Sequence, residues 1–485
     1  MIPSGGLIDA CSPIAMSRRF LTLLLILLIA PIAPCHAAPG KRPPNLILIL
    51  ADDLGFRDLG AYGHPAIRTP VLDRLAAGGL RLTGFHSGAP VCTPARIALL
   101  TGAYPVRSGW TQGVAGYKMG MHEGLAPAAL TIAEMFQAAG YATGISGKWH
   151  IGDQPDTLPR AQGFASTYYL THSNNQVRKL WRGDQVVEDP FDNRLLTQRI
   201  TDEAVRFVTE NRDRPFFLYL PFTAPHFPVE PHPAWKGRSD FGPYGDVVEE
   251  MDARIGDLLA TLESLKLDKN TLVVFTSDNG PQQGQKASPL PFRGGKWSAL
   301  EGGTRVPCIL AWPGVIPANR ETDQLVAAID LLPTLAHACG VDWQAQSTGK
   351  PTIDGINLWD LILGKEGAPQ RTELLHWHGM EAEPQAIRSG PWKLFFNAVN
   401  AYEGPGTEFI TPEQAATLAP EIAAFAHGIG QAPFLIDLRT DPGETRNLAA
   451  QNPAIVETLR ARASALLTGI RSSPAIPLSK PANAR

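Results

Sequence analysis

Four unbroken apolar runs stand out along the chain: NLILILADD (45–53), YATGISGKWH (141–150), PFFLYLPFTAPH (215–226) and TLVVFTSDNG (271–280). Runs without polar alternation, closed by turn residues, predict strands buried on both faces. Between them lie segments with helical spacing, at 69–78 (with Asp73 and Arg74 outward), 130–139 and 246–265. Strand and helix in alternation predict an α/β fold, a large mixed and mainly parallel sheet sandwiched by helices.

The pattern changes after about residue 370. RTELLHWH, QAIRSGPWKLFFN and PFLIDLRTDPGE are strand-like pieces without crossover helices between them. A helical insertion is expected at 412–427 and a closing helix at 453–468. Together they predict a small C-terminal antiparallel sheet plus helix. The boundary is expected within 364–371, giving a catalytic domain at 38–368 and a C-terminal subdomain at 369–485.

The other end of the chain reads differently again. Ser17-Arg18-Arg19 leads into an apolar run that ends at Cys35-His36-Ala37, the layout of a secretory signal peptide over 1–37. Met16 is an alternative start, and the run is too short for a stable membrane span. A periplasmic or secreted protein is expected. The net charge of −3 gives no reason to expect a nucleic-acid partner. Of the five cysteines, Cys92, Cys308 and Cys339 follow the leader, too few for a disulfide framework. Cys308 and Cys339 are read as buried packing, with pairing between them as the alternative.

Candidate chemistry sits at the carboxyl ends of the four runs, in Asp52-Asp53, Lys148-Trp149-His150, His226 and Asp278-Asn279. In an open α/β sheet that edge is where ligands bind. A lone Asp or Asn after a strand is usually a turn residue, but four strands delivering polar residues to one edge point to a site. Asp52, Asp53, Asp278 and Asn279 offer only hard oxygen donors, which suit Ca²⁺ or Mg²⁺ better than zinc. Cys92 is expected to cap a helix running to about Leu100, with Pro94 in its first turn and Gly102 beyond its end. Its amides and Arg96, one turn on, form an anion site.

Cys92-Thr93-Pro94-Ala95-Arg96, followed by IALLTGAYPVRSG, resembles the signature of the type I sulfatases, in which the cysteine of C-x-P-x-R is oxidised to formylglycine. ADDLGFRDLGAYG, GKWHIG, TAPHFP, SDNGP, RGGKWSALEGGTRVPCILAWPG and DLRTDPGETRNL resemble further blocks of that family in order. The resemblance implies an alkaline-phosphatase-like fold and a sulfuric ester hydrolase acting on an aryl sulfate or sulfated sugar. It implies a formylglycine-generating enzyme as maturation partner. It also implies one Ca²⁺ ion, with Mg²⁺ the alternative, on Asp52, Asp53, Cys92, Asp278 and Asn279. Arg96, Lys148 and Lys296 would surround the sulfate, and His226 with Lys296 would protonate the leaving alcohol. His150 would take the proton that releases sulfate and restores the aldehyde. Trp110 and His172 are expected to line the substrate pocket, whereas Ser173 sits in a poorly matching stretch and is left out. The alternatives are a phosphate or phosphonate ester hydrolase of the same fold and a non-catalytic sulfate-ester-binding protein.

Overall fold

The computed structural model describes residues 42–111, 113–116, 122–350, 352–398, 429–473 and 479; the leader expected at 1–37 and the helix expected at 412–427 lie outside the described residues. The four apolar runs form β1 (Asn45–Ala51), β4 (Ala142–Lys148), β8 (Phe216–Pro221) and β9 (Thr271–Ser277), each buried along its whole length. With β5 (Ser166–Leu170) they make five adjacent parallel strands in the order β9-β1-β8-β4-β5. Flanking strands extend this to a ten-stranded mixed sheet, β10 (Cys308–Ala311) joining β9 antiparallel. The edge strands Leu180–Arg182 and Gln185–Glu188 are three and four residues long, and Val186 and Val187 face solvent, so these two leave little trace in the hydrophobic pattern.

The layering follows from β1 itself. Successive strand residues point to opposite faces, so Leu46, Leu48 and Leu50 enter one core with Ile97, Leu100, Phe136 and Leu335. Ile47, Ile49 and Ala51 enter the other with Leu72, Phe207, Val248 and Met251. Full burial of each such Leu or Ile contributes about 1.5–3 kcal/mol. Both faces being covered, no alternation is left in the sequence. The expected helices appear as Pro70–Ala77, Ile132–Ala138 and Pro243–Ser264. Ile132–Ala138 starts at Thr131, whose hydroxyl accepts from the Glu134 amide while Glu134 accepts from the Thr131 amide, a reciprocal cap.

At the C-terminal end, strands Glu373–His376, Ala386–Ser389, Trp392–Phe395 and Phe434–Asp437 form a four-stranded antiparallel sheet. Val456, Leu459 and Ala463 of helix Pro453–Ser472 pack on its Leu374, Ile387 and Leu435. The same cluster includes Ala98 of the helix that carries Cys92, so the small sheet and that helix share one core.

The small sheet also grips the segment 293–304 through buried charge. Glu301 meets Lys393 at 2.9 Å, Arg305 at 3.3 Å, Arg388 at 3.5 Å and His86 at 3.6 Å. Glu444 meets Lys393 at 3.0 Å and accepts the Glu301 amide at 2.7 Å. Its backbone carbonyl accepts from Arg293.

Candidate active site

Loops leaving β1, β8 and β9 are laced together by backbone hydrogen bonds just past the strand ends. The Asp52 amide donates to the Ala224 carbonyl (3.0 Å) and the Asp278 amide to the Ala51 carbonyl (3.1 Å). Asp52, Asp53, Asp278 and Asn279 are thus held against one another without solvent exposure to speak of. Lys148 ends β4, where Gly147 adopts φ +133 and a Cβ would come 1.9 Å from the Pro221 carbonyl; only glycine lets the strands close there. Asp53 and His150 have φ of 66 and 62, a left-handed conformation that costs a non-glycine residue about 1–3 kcal/mol and persists where surrounding contacts enforce it.

Cys92 is the first residue of helix Cys92–Thr101, and the cap itself is Val91, in extended conformation. The sequence placed the cap one residue late. The thiol turns away from its own helix and toward the acids, with Sγ 3.6 Å from Asp52 Oδ1 and 3.6 Å from Lys148 Nζ. Gly102 closes the helix in left-handed conformation, as expected. Arg96 donates from Nε and Nη2 to Asp278 Oδ2 at 3.0 and 2.8 Å, and from Nη1 to the Lys148 carbonyl at 2.9 Å. Lys148 Nζ donates to Asp52 Oδ2 at 2.6 Å, and Lys296 Nζ to Asp53 Oδ2 at 2.8 Å.

Burial pushes the Cys92 thiol up to about 12, more than the nearby Lys148 and Lys296 can offset. It is therefore a protonated thiol at neutral pH, the opposite of a nucleophilic thiolate. Burial, and then the Asp52 charge, raise Asp278 above the usual carboxylate range. Burial disfavours charge on Lys296 too, but Asp53 outweighs it and keeps the ammonium protonated.

The two histidines are held neutral, by burial first and then by Lys148 beside His150 and Lys296 beside His226. Each has one nitrogen committed. His150 Nε2 donates to the Ala115 carbonyl at 3.1 Å, leaving a buried Nδ1 lone pair with no hydrogen-bond partner among the described residues. His226 Nδ1 donates to the Phe227 carbonyl at 2.6 Å, and its Nε2 lies 3.7 Å from Asp53 Oδ2. His150 is set up as a proton acceptor. His226 Nε2 and Lys296 Nζ both approach Asp53 Oδ2, at 3.7 and 2.8 Å.

Asp52, Cys92 and Asp278 present ligand atoms within 4.8 Å of one another. Asn279 Nδ2 donates to Asp53 Oδ1 at 2.7 Å, while its Oδ1 is buried and finds no donor among the described residues. An orphaned amide oxygen beside three carboxylates, in a donor set without imidazole, fits a hard cation.

All ten residues expected at the site are brought together here. Of the two proposed for the pocket wall, His172 lies beside His150, ring centroids 5.8 Å apart. Trp110 does not line a pocket: it is 1% exposed, in the core, and its indole N–H donates to the Gly113 carbonyl. Ser173, passed over in the sequence, has its Oγ 3.4 Å from His226 Nε2. Thr93 was also missed; it accepts the Ala115 amide and donates to the His150 carbonyl, holding the segment that carries His150. Its place inside the C-x-P-x-R motif was the available signal. Cys308 and Cys339 are both free and buried, so the packing reading holds and no disulfide joins them.

A buried cysteine ringed by carboxylates, fixed cations and neutral imidazoles, at the carboxyl edge of a parallel sheet, defines a hydrolase centre for a tetrahedral anion. Comparison with known proteins narrows the class. The model of the sulfatase family matches residues 44–341, and that of the C-terminal region of aryl-sulfatase matches 369–476. Human arylsulfatase A is 36% identical over 458 residues, covering 86% of this chain and 87% of that protein. N-acetylgalactosamine-6-sulfatase of Canis lupus familiaris is 34% identical over 90% of this chain and 87% of its own length. Among solved structures, the PsFucS1 sulfatase from Pseudoalteromonas sp. superposes with a TM-score of 0.78 at 28% identity, covering 90% of this chain and 92% of that one. The chain belongs to the sulfatase family. It is an arylsulfatase-like enzyme that hydrolyses sulfate esters.

Proposed function

We propose that this sulfatase works through formylglycine made from Cys92 by a separate formylglycine-generating enzyme, and that it cleaves the sulfate monoester of an aryl or sugar alcohol. The observation carrying this reading is the setting of Cys92. Its Sγ stands 3.6 Å from both Asp52 Oδ1 and Lys148 Nζ, yet burial holds the thiol protonated. A cysteine in that position is useless as a thiolate. Hydrated formylglycine would supply an oxygen nucleophile at the same point.

Asp52, Asp53, Asp278 and Asn279 would hold a single Ca²⁺, or Mg²⁺ in its place, which supplies positive charge toward the sulfate oxygens. Arg96, Lys148 and Lys296 orient those oxygens and stabilise the charge that spreads over them. Lys296, protonated at rest, and His226 beside it deliver a proton to the departing alcohol. The anionic ester arriving next to His226 opposes the effect of burial and raises its proton affinity. His150, with Nδ1 uncommitted, accepts the proton whose removal releases sulfate. The leader pattern at 1–37 supports export to the periplasm or beyond. Among the described residues no helix is long and apolar enough to cross a membrane.

The test is turnover of 4-nitrophenyl sulfate and 4-nitrophenyl phosphate by protein co-expressed with a formylglycine-generating enzyme. The sulfate is expected to be cleaved in strong preference, and Cys92→Ala to abolish it. Equal turnover of both esters, or full activity in Cys92→Ala, would sink the proposal.

A further inference from the structure

Next to Lys296 in the chain stands a residue that the chemistry above does not use. Trp297 is partly exposed although it packs on the buried group Val91, Cys92 and Val114. Its backbone has φ +70, left-handed and unfavourable for a bulky side chain, and its amide donates to the Pro90 carbonyl at 2.7 Å. The indole is therefore held in place at a cost. Its far edge lies over Gly113: a Cβ there would come 3.1 Å from Trp297 Cη2 and 3.4 Å from Met380 Cγ. The Gly113 amide donates to the Gly379 carbonyl at 2.9 Å, which brings the loop after strand Glu373–His376 to the same place. From that loop, the His378 ring lies 6.0 Å from the indole at an interplanar angle of 35°.

We propose that Trp297, flanked by Met380 and His378, forms a ring-binding wall at the mouth of the site, where it stacks on the cyclic alcohol of the sulfate ester. This rests on the proposed sulfatase chemistry at Cys92 and adds which part of the substrate is recognised and by what. The ionic groups around Cys92 can read only the sulfate. An indole that packs on the group containing Cys92 and keeps an exposed part is placed for the organic part, and flat or chair-shaped rings stack on indole where a flexible chain gains less. Gly113 lets the indole edge and Met380 pack where they do, since any side chain there would press on both. The substrate class implied is a sulfate on an aromatic or pyranose ring.

The test compares a ligand that has the ring with one that lacks it. For wild type, Trp297→Ala and Trp297→Tyr, the KM and kcat for 4-nitrophenyl sulfate are measured together with the Ki of inorganic sulfate. Trp297→Ala is expected to raise KM about tenfold, kcat changing less, while the Ki of inorganic sulfate moves by no more than about twofold. Trp297→Tyr, which keeps a ring, is expected to recover most of the loss and serves as the reporter should the alanine variant not fold. A parallel change in KM and Ki, or an unchanged KM, would overturn the wall. Absence of sulfate ester turnover in wild type would instead overturn the underlying reading, so the two failures are distinguishable.

Discussion

Around Asp52 and Asp278 potential ligand atoms converge, three of them within 4.8 Å of one another; around Glu301 and Glu444 charge is buried as deeply without such a group among the described residues. Both clusters combine carboxylates, cations and histidines that burial keeps neutral. In the first, two carboxylates and a protonated thiol face one another, and Asn279 Oδ1 lies buried nearby without a partner among the described residues. In the second, Glu301 is met by Lys393, Arg388, Arg305 and His86 at once, and Glu444 takes both Lys393 and the Glu301 amide. Buried charge alone therefore does not mark a site. Convergence of hard donor atoms on one point does, because carboxylates held together repel one another unless a cation lies between them.

If that distinction is right, damage to the two clusters should appear in different measurements. The largest effect is expected from the first. Asp52→Ala, or exhaustive chelation of divalent ions, should lower kcat/KM for 4-nitrophenyl sulfate by roughly 10³–10⁴-fold, Ca²⁺ restoring the chelated protein better than Zn²⁺. Full activity with metal analysis showing an empty protein would break the comparison at its first term.

Lys393→Met should do the reverse. It strands Glu301 and Glu444 without their shared cation, and removing one partner of a buried pair costs about 3–5 kcal/mol. Urea unfolding should show that loss, while the active-site titre of the folded fraction remains. An unchanged unfolding midpoint with lost turnover would mean that the second cluster acts in catalysis.

Within the first cluster, His226→Ala sharpens the division between binding and proton transfer. Esters of weakly acidic alcohols need the proton more, so their kcat/KM should fall by roughly 10²-fold, against about tenfold or less for 4-nitrophenyl sulfate. Equal losses across leaving groups would leave His226 a binding residue only.

A smaller effect concerns pH. Burial holds His86 and His376 well below the ordinary 6.5 in the folded protein. Below about that pH the unfolded chain binds more protons than the folded one, so stability is kept above it and lost as pH falls. Each histidine contributes about 1 kcal/mol per pH unit there. The urea midpoint should drop between pH 7 and 5.5, less steeply in His376→Phe; a flat profile would contradict the assignment. The smallest effect is expected from Cys308 and Cys339, which are unpaired and packed. Reducing agent should leave the unfolding midpoint unchanged within about 0.5 kcal/mol.

Most of this could be read along the chain because the central strands are buried on both faces and end in the residues that act. NLILILADD states both facts in nine letters, a strand and then two carboxylates at its carboxyl end. Cys308–Ala311 lies in TRVPCILAWPG, which reads as strand-like, but the edge strands Leu180–Arg182 and Gln185–Glu188 were silent because three or four residues so largely exposed carry no periodic signal. The cap before Cys92 was misplaced by one residue because a thiol reads as a weak cap, whereas the real partner of Sγ, Asp52, is forty positions away in sequence. Trp110 was assigned to a pocket on residue type alone, and tertiary packing put it in the core. The cluster on Glu301 was invisible for a related reason: its members come from segments near 86, 301, 388, 393 and 444, which no local pattern links.

The account turns on Cys92, and the mass of the tryptic peptide that ends at Arg96 addresses it most directly. In protein with measured turnover, that peptide is predicted to be lighter than the cysteine form by the exchange of sulfur for oxygen and the loss of two hydrogens, in a fraction that tracks specific activity. A fully active preparation in which the peptide carries unmodified cysteine would contradict the account.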